Sequence, residues 1–138
     1  MKQHVLIVED NPLNSELLRD WLEMEGYVAV IAPTLDAGFA ALKKQQPDVV
    51  LLDVQLGEED GLSLAAWMHQ QPALKDIPVI AVTAQVMTSD RQRILESGCH
   101  SIVSKPVEFN VLRGQLEVWL GRNGHQAREG LRHGVTID

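Results

Sequence analysis

Apolar residues occur along this chain in two kinds of run. Val5–Val8, Val28–Ile31, Val49–Leu52 and Val79–Val82 are short and continuous, and Ser101–Ser104 is a still shorter run. Such runs predict strands, and an unbroken one such as Val49–Leu52 predicts a strand buried on both faces. Between them lie longer segments in which apolar residues return at helical spacing. Leu13, Leu17, Leu18, Trp21, Leu22 and Met24 recur as far as Gly26, after Asn11 in a capping position and Pro12 at a first helical position. Pro33-Thr34 opens a second helix with Leu35, Phe39 and Leu42 on its stripe. A loop from Gly57 to Gly61 leads to a third, carrying Leu62, Leu64, Ala65 and Met68. Ser89 with Gln92 three residues later predicts a capping box for a fourth, stopped by Gly98. The last helix is expected over Glu108–Leu120, with Val111, Leu112, Leu116 and Trp119 on one side.

Strand and helix therefore alternate through five units. That pattern predicts an α/β fold, an open parallel sheet with helices on both faces, because parallel strands need right-handed crossovers. Residues 1–120 form this one domain. Gly121–Asp138, rich in Gly, Arg and His, is expected to be a flexible tail.

Composition narrows the function more than the fold. The chain has 138 residues, 45% of them apolar and only 4% aromatic, so its core must rest on aliphatic side chains. A formal charge of −7 works against nucleic-acid binding, and no basic patch interrupts the domain. No apolar run approaches the length of a membrane span. Glu9 and Asp10 follow so soon after Met1 and Lys2 that no secretory leader is expected. Cys99 is the single cysteine, which excludes an intrachain disulfide and fits a cytoplasmic location. The five histidines show no metal-ligand spacing, and Cys99 reads as a small apolar residue. Trp21, Trp67 and Trp119 are expected to cover the core.

The chemistry collects at strand ends. In an open α/β sheet, ligands sit outside the carboxyl ends of the strands. There the sequence sets Glu9 and Asp10 after the first strand, Asp53 after the third, Thr83 after the fourth and Lys105 after the fifth. Three carboxylates at one crevice repel each other and raise one another's proton affinity, a conflict that a hard divalent cation removes. Mg²⁺ takes one or two carboxylates, waters and phosphate oxygens. Lys105 suits a phosphoryl oxygen, Thr83 offers a hydroxyl to another, and the small Ala84 leaves room for entry. Asp53 then stands as a nucleophile able to form an acyl phosphate.

These stretches resemble the receiver domain of two-component response regulators. The resemblance runs over about residues 3–120 and rests on Val5-Leu6-Ile7-Val8-Glu9-Asp10-Asn11, Leu52-Asp53-Val54-Gln55-Leu56 with Asp60-Gly61, Val82-Thr83-Ala84 and Ser104-Lys105-Pro106. It implies a flavodoxin-like three-layer sandwich, a doubly wound five-stranded parallel sheet of order 2-1-3-4-5 with five helices. It implies Asp53 as the phosphorylated aspartate, with Mg²⁺ held by Asp10, Asp53 and the main-chain carbonyl of Gln55, and by Glu9 chiefly through water. It implies Thr83 and Lys105 as phosphoryl ligands, a cis bond before Pro106, and Gln55 and Gln85 along the path of attacking water. The implied phosphoryl donors are a sensor histidine kinase or a histidine phosphotransfer protein of a bacterial signalling system. The face of the fourth helix, fifth strand and fifth helix is implied as the site for a downstream protein or a homodimer mate.

The sequence departs from the family at Ile102, where an aromatic residue usually couples to the threonine, and at Gly57, where Pro is common. A chain ending soon after the fifth helix is expected to signal by binding proteins. Three other readings stay open at this point: a phosphate-independent binding module, a receiver excised from a larger hybrid kinase or regulator, and an enzyme on the same architecture. Against the last, the strand-one loop is acidic and the Gly-rich dinucleotide fingerprint is absent.

Overall fold

The computed structural model describes residues 2–84 and 87–121. Gln85 and the tail beyond Gly121 therefore lie outside the described residues. The chain runs β1 (His4–Val8), α1 (Pro12–Met24), β2 (Val28–Ala32), α2 (Leu35–Lys44), β3 (Val49–Asp53), α3 (Leu62–Gln70), β4 (Val79–Thr83), α4 (Thr88–Glu96), β5 (Ser101–Ser104) and α5 (Phe109–Trp119). The strands form one sheet of order β2-β1-β3-β4-β5 with every pairing parallel. The parallel sheet is the one that the alternation predicts, and its order is the one that the resemblance implies.

β3 and β4 are buried at every position, as unbroken apolar runs in the sheet centre require. Alternate residues feed two cores. Leu6, Val8, Val50 and Leu52 meet Leu42, Leu64, Met68 and Ile94 on the side of α2, α3 and α4. Val5, Ile7, Leu51 and Ile80 meet Leu18, Leu22, Leu112 and Leu116 on the side of α1 and α5. Each such large side chain contributes roughly 1.5–3 kcal/mol by leaving water. Among the described residues no helix is long and apolar enough to cross a membrane.

The helix ends follow local chemistry. Asn11 Oδ1 accepts the Asn14 N–H at 3.1 Å with Pro12 beside it, and Thr34 Oγ1 accepts the Ala37 N–H at 3.0 Å. At the far end of α4, Gly98 takes a φ of +105°, a left-handed value that L side chains rarely adopt.

Three expectations change. α1 carries two leucine pairs at i, i+4 spacing, and only Leu18 and Leu22 face the sheet; Leu13, Leu17 and Met24 are exposed. Ser89 does not cap α4, because the helix starts one residue earlier and Met87 occupies the cap with no side-chain bond. The segment read as a loop pairs Gln55–Leu56 with Glu59–Asp60 in a small antiparallel ribbon. The tryptophans cover the core as expected: Trp119 is buried in it, and half-buried Trp21, stacked on Phe109, and Trp67, edge-on to Phe39, pack against it.

Candidate functional site

Parallel register decides what stands at the carboxyl edge. Val8 lies beside Leu52, Asp53 beside Val82, and Thr83 beside Ser104. Glu9, Asp53, Thr83 and Lys105 therefore leave their strands at about one level. The edge is tied locally, since the Glu9 N–H donates to Ala32 O at 3.1 Å and the Lys105 N–H to Thr83 O at 2.9 Å.

Glu9, Asp53 and Thr83 are buried, whereas Asp10 is exposed. One carboxylate oxygen each from Glu9, Asp10 and Asp53 lies within 4.8 Å of the others. Lys105 Nζ donates to Asp53 Oδ2 at 3.2 Å and to Glu9 Oε1 at 3.3 Å. Asp53 Oδ1 accepts the main-chain N–H of Gln55 at 3.2 Å. Both oxygens of the Asp53 carboxylate are thus held, one by a cation and one by the ribbon.

The ribbon reaches this place through two glycines. A side chain on Gly61 would put its Cβ 2.2 Å from the Asp53 carbonyl oxygen, so only glycine allows the ribbon to close against β3. Gly57, at the ribbon turn, has a φ of +61°. Asp60 Oδ1 accepts the Leu62 N–H at 3.0 Å where α3 begins.

Electrostatics record crowding. Burial, then the neighbouring Asp53, raises the proton affinity of Glu9 above that of an ordinary carboxylate, against the pull of Lys105 and the Asn11 N–H. Burial works to lower that of Lys105, but the Asp53 and Glu9 carboxylates outweigh it and the ammonium is held above its usual range. One cation facing three acids leaves negative charge uncompensated. The donor set is oxygen only and is open to water on the Asp10 side, which fits Mg²⁺ with retained waters better than a closed cage.

Other residues named from the sequence fall around this centre. Ala84 is exposed beside Thr83, and the Gln55 side chain is exposed on the ribbon. Ile102 is buried in β5 within the core on the side of α3 and α4. The Lys105–Pro106 peptide is cis. A cleft of about 490 Å³ opens beside the centre, with Glu9, Asn14, Leu17, Ala84, Lys105 and Phe109 in its wall.

Sequence reasoning missed two of the groups that hold Glu9. The Asn11 N–H reaches Glu9 Oε2 at 3.4 Å, and Asn14 Nδ2 donates to Glu9 Oε1 at 3.3 Å. The available signal was the position of Asn14, third residue of a capped helix, where a side chain can turn back toward the preceding strand.

Comparison with known proteins agrees with this geometry. The response regulator receiver domain matches residues 5–117. The polar-differentiation response regulator DivK of Brucella ovis is 37% identical over 121 residues, which cover 88% of this chain and 98% of DivK. The signal receiver domain of a signal transduction histidine kinase from Syntrophus aciditrophicus superposes with a TM-score of 0.79 at 31% identity, over 99% of this chain and 97% of that one. The receiver domain of the sensor histidine kinase PA1611 from Pseudomonas aeruginosa, solved with a magnesium ion coordinated in its active-site cleft, gives 0.80 at 28% identity over 87% and 98%. The chain belongs to the response regulator receiver domains, the phosphoacceptor signalling modules of two-component systems.

Proposed function

We propose that Asp53 accepts a phosphoryl group in a Mg²⁺-dependent reaction, and that the product changes which protein this domain binds. The observation that carries the reading is the convergence of Lys105 Nζ on Asp53 and Glu9 within the triad of carboxylates. Glu9, Asp10, Asp53 and the main-chain carbonyl of Gln55 are the residues that would hold Mg²⁺. When bound, the ion supplies charge neutralisation for the carboxylates and for the phosphoryl oxygens.

The rest follows from the chain's own groups. A carboxylate oxygen of Asp53 attacks phosphorus of a phosphohistidine; the P–O bond forms, the P–N bond breaks, and the imidazole leaves with the electron pair. Lys105, held cationic by its neighbours, moves its charge from Asp53 to a phosphoryl oxygen. Thr83, last in β4, offers its hydroxyl to another, and Ala84 leaves the entrance clear. Gln55, exposed on the ribbon, stands beside the path of water that ends the signal. The donors are a sensor histidine kinase or a histidine phosphotransfer protein, in the cytoplasm of a bacterium. The domain catalyses only its own phosphorylation and dephosphorylation, and its output face is α4, β5 and α5, for a target protein or a homodimer mate. Ile102, an aliphatic residue buried in the sheet, leaves this switch to Thr83 and the segment after it.

Intact mass after incubation with acetyl phosphate tests the reaction. One phosphate adduct is expected with Mg²⁺, none without it and none on Asp53→Asn. An adduct that persists in the variant, or no adduct in the wild type when a trapping phosphate mimic is also tried, overturns the assignment.

A further inference from the structure

The first turn of α1 is built as a holder for Glu9. In a capping box, the third helical residue turns its side chain back onto the N–H of the cap residue. Here Asn11 is the cap and its side chain takes the Asn14 N–H at 3.1 Å, which is one half of that motif. The other half is rearranged. The Asn11 N–H goes to Glu9 Oε2 at 3.4 Å, so the Asn14 side chain is released from the helix end and donates instead to Glu9 Oε1 at 3.3 Å. A carboxylate only accepts, so the Asn14 atom facing it is the amide nitrogen.

Glu9 Oε1 has two donors, Lys105 Nζ and Asn14 Nδ2. They differ in what the reaction asks of them. Lys105 also holds Asp53, and in the proposed reaction its charge is drawn to the phosphoryl group. Asn14 carries no charge and makes no described bond to Asp53, so nothing in that step pulls it away. A Glu side chain is also one methylene longer than an Asp and has one more torsion to fix. The Asn11 N–H stays as well, but on Oε2 at 3.4 Å, so as Lys105 leaves, Asn14 is the described donor that still fixes Oε1.

We infer that Asn14 is a positioning residue: its side-chain amide fixes the Glu9 carboxylate toward the metal site, independently of Lys105. The inference rests on the reading of Glu9, Asp10 and Asp53 as the Mg²⁺ site. It assigns the Asn14 side chain to the site and leaves helix capping to the Asn14 main-chain N–H, which an alanine retains.

Calorimetric titration of the full chain with Mg²⁺ alone, at one pH, tests it in a double-mutant cycle of Asn14→Ala and Glu9→Ala. Partners that orient metal ligands are commonly worth about 10- to 100-fold in affinity, and Asn14→Ala is expected at the lower end, about tenfold weaker than wild type. In the Glu9→Ala background the same change is expected to alter affinity less than about twofold, because the acceptor that Asn14 holds has been removed. Circular dichroism of Asn14→Ala is expected to match the wild type, since the exposed side chain buries nothing. Wild-type affinity in Asn14→Ala, or an equal loss in both backgrounds, overturns the role of Asn14 while leaving the metal site standing. No Mg²⁺ binding by the wild type overturns the metal site and the role together.

Discussion

α4 and α5 flank β5 and are of similar length, yet they are attached by different means. α5 buries Leu112, Gln115, Leu116 and Trp119, and Gln115 Nε2 donates to the main-chain oxygen of Ile102 at 3.3 Å. It is also sewn to α1. Phe109 stacks on Trp21 with ring centroids 4.8 Å apart, and Arg113 pairs with Glu25 while lying 5.6 Å above the Trp21 ring. α4 buries Ile94 alone and starts at an uncapped Met87. Its described ion pair to the rest of the fold, Arg93 with Asp60 at 3.5 Å, is exposed on both sides and adds little. The difference teaches that the site has one firm wall and one loose one. Lys105 stands at the firm α5 corner, while Thr83 and Ala84 lie on the side of the more weakly attached of these two helices.

The largest effect should come from cutting the firm attachment. Leu116 is fully buried, so Leu116→Ala is expected to cost about 3 kcal/mol in urea unfolding. Leu95 on α4 is 41% exposed, and Leu95→Ala should stay within about 0.5 kcal/mol. Equal costs would erase the distinction between the helices.

Protonation sharpens it next. The folded, metal-free protein binds the Glu9 proton more tightly than the unfolded chain does, because the site raises that group's proton affinity. This group's contribution to stability should therefore grow as pH falls through the raised value, be complete below the value of an ordinary glutamate, and be lost above the raised value. Glu9→Gln should stabilise the metal-free protein at pH 7 and flatten that rise. Chemical denaturation across pH reads both, and hydrogen exchange should place the gain around residues 105–112 rather than in α4. A variant less stable than wild type at pH 7 would contradict the charge crowding.

The smallest effect comes from supplying what α4 lacks. Met87→Ser puts a capping hydroxyl before Thr88 and should slow exchange of the α4 amides, adding about 0.5–1 kcal/mol to that helix. The α5 amides should not respond. Uniform slowing of both helices would show that they open together.

Much of this arrangement was legible in the chain. Val49–Asp53 is apolar to its last residue, which marks a central strand and names the acid at its end. Parallel register then brings the ends of β1, β3, β4 and β5 to one edge, so Glu9, Asp10, Asp53 and Lys105 meet without any need to foresee side-chain detail. What escaped has a common cause. Leu13 and Leu17 have the same spacing as Leu18 and Leu22, and only the tertiary register of α1 decides which pair is buried. Ser89 satisfies the local capping pattern but sits inside a helix that starts at Thr88. The contact of Asn14 with Glu9 depends on the angle at which α1 leaves the sheet, which no local pattern specifies.

Cys99 gives the loose wall a further use. It follows the glycine that ends α4, lies within the core that α4 covers, and is the single cysteine of the chain. Burial, then the charge of Asp60, pushes its thiol up to about 12, so at neutral pH it is both shielded and protonated. Alkylating reagents need an exposed thiolate. The rate of labelling of the native protein is therefore expected to follow openings that expose Cys99, and weakening α4 should raise it.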